Sequence, residues 1–416
     1  MAVGDTRGAR PSGPTVAGSS RAGTAIVVGA GISGLTAAVA LRRRGWRVDV
    51  YERAPVLEPV GAGIALAPNA VKALDSLGMR EWIDQAAVIQ GSGGVRRPDG
   101  RWLVRTDLGA VAKAFGRPLV VVPRPELIDA LRSQLPQAAI HLDTSVEEVL
   151  PGDETRLARV RTKQGEKSAD LVVAADGIRS PIREALFPEH PGPVYAGFTA
   201  WRMIVEAGSH TKVEPSETWG RGAVFGIVPL PGGRLYCYAT ANLPEGTKFA
   251  DEHAALLERF ADWHSPIPDL IRRTPREALL RNDIYWLDKP LSAYHSGRVA
   301  FVGDAAHAMT PNLGQGGCQA IEDAVVLAHE LEAEDGGGGL DVAMALNAYT
   351  VARRARTVSI ARQSARAGRM QQLHAPLGTA LRNGAISLAG HLGSGFMLRQ
   401  MAAVAKWAPP EPPERP

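Results

Sequence analysis

Cysteine is nearly missing from this chain. Of 416 residues only Cys237 and Cys318 carry a thiol, far apart and in no Cys-x-x-Cys pair. That excludes a disulfide scaffold, a zinc ribbon and a dithiol redox centre. No stretch reaches the ~18 consecutive apolar residues of a membrane-spanning helix, so no span is expected. Charge of one sign is scarce too, with 47 Lys+Arg against 43 Asp+Glu for a net +4. The basic surplus is local: Arg42 to Arg44, then Arg353, Arg354, Arg356, Arg362, Arg366 and Arg369. It reads as the solvated face of a helix. Without interleaved aromatics it offers no nucleic-acid footprint. There is no G-x-S-x-G, no H-x-x-x-H pair and hence no sign of a nucleophile elbow or a metal site. Residues 1–21, rich in Gly, Ser, Pro and Arg, read as a disordered tail rather than a signal peptide or anchor. A cytoplasmic location is the expectation.

Glycine, by contrast, is plentiful: 45 residues, about 11% of the chain against a usual ~7%. No Gly-X-Y period or long repeat accompanies it, so the glycines answer local backbone needs. The first address is clear. Thr24 to Gly29 (TAIVVG) has the pattern of a short buried parallel strand, and it runs into Gly29-Ala30-Gly31-Ile32-Ser33-Gly34. A periodic helix follows, stopped by Gly45, and then a second strand, Trp46 to Tyr51, ending in Glu52-Arg53. Gly29 permits the tight turn, Gly31 lets the backbone approach a pyrophosphate, and Gly34 lets the helix pack close on the strand. Glu52, at the end of the second strand, is placed to accept hydrogen bonds from ribose hydroxyls. Strand, turn, helix, strand and acid in register point to dinucleotide binding.

Far downstream, RVAFVGDAAHAMTPNLGQGGCQAIEDAVVL combines a buried strand (Val299 to Val302), a Gly303-Asp304 turn and a Pro-Asn-x-Gly-Gln-Gly-Gly loop that opens an amphipathic helix. The dipole of that helix start favours negative charge, and so suits an anionic ring system. Between the two lies LVVAADGIRSPIRE, with Asp176-Gly177. Taken together, these three segments resemble the motifs of group A FAD-dependent aromatic monooxygenases, the para-hydroxybenzoate hydroxylase fold. The runs GAGIALAPNAVKALDSLGM, FTAWR, ETWGRG and FGIVPLPGG look most like the branch with salicylate, urate and alkylquinolone hydroxylases.

The resemblance implies an α/β protein: a Rossmann-type FAD-binding domain with an inserted antiparallel-sheet substrate domain and a C-terminal helical cap. The expected division is 22–74, 101–186 and 281–370 for the discontinuous FAD part, 75–100 and 187–280 for the substrate part, and 371–416 for a C-terminal helix and tail. Gly336 to Gly339 reads as a flexible break and Leu340 to about Met370 as a long helix. The apolar stretch before the Pro-rich end is able to lie on a membrane surface, but a cap over the FAD part is the favoured reading.

It further implies that Gly29, Gly31 and Gly34 hold the diphosphate, with Asp176 and Gly177 near it. Glu52 holds the adenosine ribose with Arg53 flanking it, and Arg124 contacts the cofactor. Gly303 and Asp304 serve the ribitol, and the Gly314, Gln315, Gly316, Gly317 helix start faces the flavin pyrimidine ring. NADH or NADPH reduces FAD, O₂ adds at flavin C4a, and oxygen is transferred to a small aromatic or heteroaromatic substrate by hydroxylation or epoxidation. A second G-x-G-x-x-G is lacking, so the nicotinamide is expected to dock only transiently.

On the inserted strands the candidates are Trp201, Trp219, Phe225, Tyr236 and Tyr238 for the substrate, each of them equally suited to core packing. Arg202 is the polar candidate to bind or polarise a substrate oxygen, with a structural ion pair as the alternative. Asp283 is a candidate partner of Arg202 or a base, and Pro311 a rigid wall beside the reacting atom. His307 reads as scaffold. Two rivals stay open: a halogenase-like enzyme, whose Trp-x-Trp-x-Ile-Pro signature is here reduced to Ala200-Trp201-Arg202, and a flavin-fold binding protein without turnover.

Overall fold

Thr24–Val28, with its valines and isoleucine buried on both faces, is a central strand of a six-stranded sheet. The sheet runs, in order, His295–Ser296, Val299–Phe301, Leu171–Ala174, Thr24–Val28, Arg47–Tyr51, Ile140–His141. All neighbours pair in parallel except the antiparallel edge strand His295–Ser296. The computed structural model describes residues 23–57, 62–86, 91–208, 213–332, 341–391 and 402–411. The expectations for residues 1–21, for Gly336 to Gly339 and for the extreme C-terminus from 412 lie outside those residues.

Helix Ile32–Arg43 crosses from the first strand to the second, as a parallel pair requires. It packs against helix Gly316–Glu330, and the two cover one side of the sheet in a single apolar core with Leu35, Leu41, Ile321 and Leu327. Gly34 is what lets the first helix sit so close. A β-carbon there would overlap the carbonyl oxygen of Gly29.

The second large sheet has seven strands, in the order Leu280–Trp286, Val194–Glu206, Arg234–Ala241, Ala223–Leu230, Ser216–Trp219, Ser92–Arg96, Trp102–Asp107. It is antiparallel apart from the parallel pair Ser216–Trp219 with Ser92–Arg96. Here the expected boundaries shift. Trp102–Asp107 and residues 281–286, assigned to the FAD part, hydrogen-bond into this sheet. Helix Arg80–Gln85, assigned to the substrate part, buries Ile83 in the nucleotide-side core. The turn at Gly100 joins the two strands of a hairpin, which need each other's hydrogen bonds, so it marks no division.

Helix Val342–Gln371 matches the expected long helix, but its arginines are not all solvated. Arg353 is 1% exposed. Its Nε donates to Asp323 Oδ1 at 2.7 Å and its Nη1 to Glu322 Oε2 at 2.5 Å, while Arg356 Nε reaches Glu322 Oε2 at 2.8 Å. A charge count cannot tell which turn of a helix meets two buried carboxylates. Helix Pro376–His391 lies along strand Trp102–Asp107 rather than over the nucleotide part, with Arg382 donating to the carbonyls of Gln371 and Gly220. Residues 402–407 do return to the nucleotide side, where Ala405 and Trp407 accept from Lys72 Nζ.

Burial pushes the Asp323 carboxyl up, but His307, Arg353 and the Gly303 N–H outweigh it and hold it at about 2. A folded-state value below the unfolded ~3.9 means stability that is complete above about pH 5 and lost as pH falls toward 2. Truncation of Arg353 to Ala takes a cation from two buried carboxylates, leaving Glu322 to Arg356 and Asp323 to His307 and the Gly303 N–H, and is expected to cost about 3–5 kcal/mol. Urea unfolding of wild type and variant at neutral pH measures this, and the difference should shrink in acid as the carboxylates protonate.

Candidate active site

All three glycine-bearing turns end at one edge of the six-stranded sheet, because the strands before them are neighbours. Gly29, at φ +104°, turns the chain beneath Ala175, whose carbonyl oxygen a β-carbon on Gly29 would approach to 2.5 Å. The Asp176-Gly177 turn follows directly from Ala175. Its loop is tied to the third turn by buried Arg183, which donates to the carbonyls of Ile178 and Ala305 at 2.6 and 3.1 Å. The Gly303 N–H donates to Asp323 Oδ2 at 2.9 Å, and His307 shares that oxygen at 2.6 Å. His307 is therefore scaffold.

This edge fits FAD. A β-carbon on Gly31 or Gly177 would meet no protein atom within 4 Å, so both face open space where a group can approach the backbone. Asp176 Oδ1 is buried without a partner while Oδ2 accepts from the Ile182 N–H at 3.3 Å. Burial pushes that carboxyl up, so an added donor would be welcome there. Glu52 first secures the turn itself, accepting from the Ala30 N–H at 2.8 Å and the Ala54 N–H at 2.9 Å. Each oxygen keeps a lone pair for a ribose hydroxyl. Arg53 is exposed beside it, and Arg124 lies close enough to Asp304 to stabilise its charge.

From Asp304 the edge opens into a cavity of about 660 Å³. One wall is the loop from Pro311 through Gly314 to Gly317, which starts the fifteen-residue helix Gly316–Glu330. The helix Val342–Gln371 braces that loop: Ser364 Oγ bridges Thr310 and the Leu313 N–H, and Asn312 donates to Gln371 at 2.6 Å. Gln315 accepts from Asn69 at 3.1 Å, fixing the loop to helix Pro68–Ser76. The other wall is one face of the seven-stranded sheet, carrying Arg202, Tyr236 and Tyr238.

Strand alternation sorts the remaining candidates. Ala200 and Arg202 face the cavity, whereas Trp201 points to the other side, 1% exposed in a separate core and donating to Glu252 at 2.9 Å. Phe225 shares that core, edge-on to Phe260 at 5.4 Å, while its neighbour Val224 lines the cavity. Neither Trp201 nor Phe225 can touch a ligand in the cavity. Trp219 lies on the same sheet face but outside the cavity lining, in a second cleft of about 610 Å³, under the Arg382 guanidinium. Asp283 is committed elsewhere. It accepts from Thr199 at 2.6 Å and the Gly246 N–H at 2.8 Å and pairs with Arg281 at 3.0 Å, not with Arg202. Although burial pushes its carboxyl up, these donors together bring it below the usual range. It is a structural acceptor. Arg202 instead donates to Asn282 at 3.3 Å and lies beside Tyr236.

Two features of the cavity escape a motif search. Glu217 lines the cavity from strand Ser216–Trp219, where ETW reads as ordinary strand alternation. Ile64 and Val121 from the small sheet Gly63–Leu66 with Val120–Pro123, and Leu119 just before its second strand, make the cavity's apolar side. Both cysteines are buried, and burial pushes the Cys318 thiol up to about 12, so neither is a reactive thiol.

A family model described as FAD binding domain matches residues 23–364. The chain is 41% identical over 319 residues to aurachin C monooxygenase/isomerase of Stigmatella aurantiaca, covering 75% of this chain and 82% of that protein. It is 32% identical over 375 residues to 2-heptyl-3-hydroxy-4(1H)-quinolone synthase of Pseudomonas aeruginosa, covering 88% and 94%. The crystal structure of Klebsiella pneumoniae HpxO complexed with FAD and uric acid superposes with a TM-score of 0.83 at 28% identity, covering 91% of this chain and 97% of that one.

Gly31→Val and Gly34→Val separate cofactor from fold. The first should leave thermal stability of the flavin-free protein within a few degrees of wild type yet abolish retained flavin absorbance. The second should fail to give folded protein at all, since its side chain must displace backbone.

Proposed function

The chain belongs to the FAD-binding-domain family of flavin-dependent monooxygenases, and from that membership we propose that its 660 Å³ cavity holds a small aromatic or heteroaromatic ring against the flavin for hydroxylation or epoxidation. One observation carries the reading. The helix start that cradles the flavin and the face bearing Arg202, Tyr236 and Tyr238 are opposite walls of one cavity. When bound, FAD takes electrons from NAD(P)H and activates O₂; the protein supplies orientation, charge and a dry enclosure. Gly29, Gly31, Gly34, Asp176 and Gly177 would take the diphosphate, Glu52, Arg53 and Arg124 the adenosine side, and Gly303 and Asp304 the ribitol. The N-terminal amides of helix Gly316–Glu330 favour negative charge on the ring beside them.

Pro311 has no N–H to offer and stiffens the loop at the reacting edge. Apolar side chains from the small sheet and from Met309 keep water out. Among the described residues Arg202 is the one cation lining the sheet wall, and it binds a substrate oxygen; Tyr236 and Tyr238 bound the ring. Among the described residues no helix is long and apolar enough to cross a membrane, and we place the reaction in the cytoplasm with NAD(P)H.

Arg202→Ala tests the substrate side alone. FAD occupancy should stay at the wild-type level while KM for the hydroxylated substrate rises at least about tenfold, or more peroxide forms per NAD(P)H oxidised. Unchanged KM and coupling would remove Arg202 from the site.

A further inference from the structure

The cavity holds a carboxylate that the flavin chemistry does not call for. Glu217 lines it from strand Ser216–Trp219, and its carboxylate is gripped by two donors, the Tyr238 hydroxyl and the Trp219 indole N–H at 2.7 Å. Among the described residues no Lys, Arg or His pairs with it, and its electrostatic partners are Tyr238 and Trp219 alone. Burial outweighs the pull of those two hydrogen bonds and holds the carboxyl above its usual range. A buried carboxyl with no cation beside it is costly to ionise, and two neutral donors leave it lone pairs that a further donor can use.

Its position is set by strand register. Arg202 pairs with Tyr238, Tyr238 with Gly226, and Gly226 with Glu217, so these four residues form one row across four adjacent strands. Gly226 is the gap in that row. A β-carbon there would overlap the Tyr238 ring, which lies across it and so brings the phenol to Glu217. Three inter-strand steps separate Arg202 from Glu217, about 14 Å between Cα atoms at ~4.8 Å per step. Carboxyl and guanidinium therefore stand at the two ends of one wall, with an aromatic floor between them, instead of pairing with each other.

We propose that Glu217 is the substrate's hydrogen-bond acceptor, and that together with Arg202 it selects an uncharged heterocycle carrying a ring N–H at one edge and a carbonyl oxygen at the other. This rests on the reading of the cavity as the monooxygenase substrate site. The carboxylate takes the N–H, the guanidinium takes the carbonyl oxygen, and the ring lies over Tyr238 against the flavin cradle. A hydrogen bond from N–H to a carboxylate pushes electron density into a conjugated ring, which suits attack by an electrophilic oxygen. A benzoate-type anion would satisfy Arg202 but would bring negative charge to Glu217 without a donor for it.

The test uses the FAD-loaded enzyme without nicotinamide, titrated by calorimetry and by flavin absorbance with three probes: 2-methyl-4(1H)-quinolone, its N-methyl derivative, and salicylate. Wild type should bind the N–H quinolone at least about tenfold more tightly than the N-methyl compound and than salicylate, as expected for a site built around a charge-assisted hydrogen bond. In Glu217→Gln, with FAD occupancy unchanged, the N–H to N-methyl ratio should fall below about threefold. If that variant fails to fold, Glu217→Asp, which keeps the charge but withdraws it by one methylene, should also narrow the ratio. Equal affinity for the two quinolones, an undiminished ratio in the variant, preference for salicylate, or loss of FAD from Glu217→Gln would each overturn the proposal. NAD(P)H oxidation by wild type, unstimulated by any aromatic probe while FAD is bound, would instead count against the monooxygenase site itself.

Discussion

One buried charge cluster holds the flavin-side architecture together. Glu322 and Asp323 sit side by side on the helix Gly316–Glu330, both fully buried, and Arg353 from the long helix answers both. Each carboxylate then uses its remaining capacity outward. Asp323 holds the Gly303 N–H and His307, and so the turn carrying Asp304. Glu322 holds Asn69 and Gln319, and through them Gln315 at the loop on the cavity wall. The loop from Pro311 to Gly317, the Gly303-Asp304 turn, helix Pro68–Ser76 and the long helix are thus locked to one pair of acids. Each acid is held by several donors at once, Glu322 by Arg353 and Arg356 and Asp323 by Arg353, His307 and the Gly303 N–H, which is why the arrangement has little freedom to drift.

A second economy is the use of one sheet for two purposes. Along Val194–Glu206, Ala223–Leu230 and Arg234–Ala241, alternate residues face the cavity and a separate apolar core. Trp201, Phe225 and Cys237 give the sheet its backing, stacked against helices Glu252–Phe260 and Ile267–Arg273. Arg202, Tyr236 and Tyr238 are free to serve the ligand because that backing is complete. Rigidity on one face is what makes polar placement on the other reproducible.

The cofactor motifs were readable in the chain because each is local. In Gly29 to Gly34 the same few residues supply the turn, the helix start and the close packing, so their types state their geometry. Glu52 was legible from its distance along the chain, although its bonds to Ala30 and Ala54 show that it also braces the turn. The substrate side was less legible. Trp201 and Arg202 are adjacent in sequence and point to opposite faces, and nothing local says which face borders the flavin. Asp283 looked free until folding brought Thr199, Gly246 and Arg281 around it. Arg353, expected on a solvated face, is buried because its acidic partners lie thirty residues away on another helix.

By itself, then, the sequence determined the family, the cofactor and the glycine turns we propose for it, since the conformation of a tight turn is dictated by the residues that form it. Tertiary structure alone decided which residues meet across the cavity. Glu217 becomes a cavity carboxylate only because strand register sets it in line with Gly226, Tyr238 and Arg202. Register is settled by the pairing of distant strands and the burial of one face, and no short window of sequence contains either.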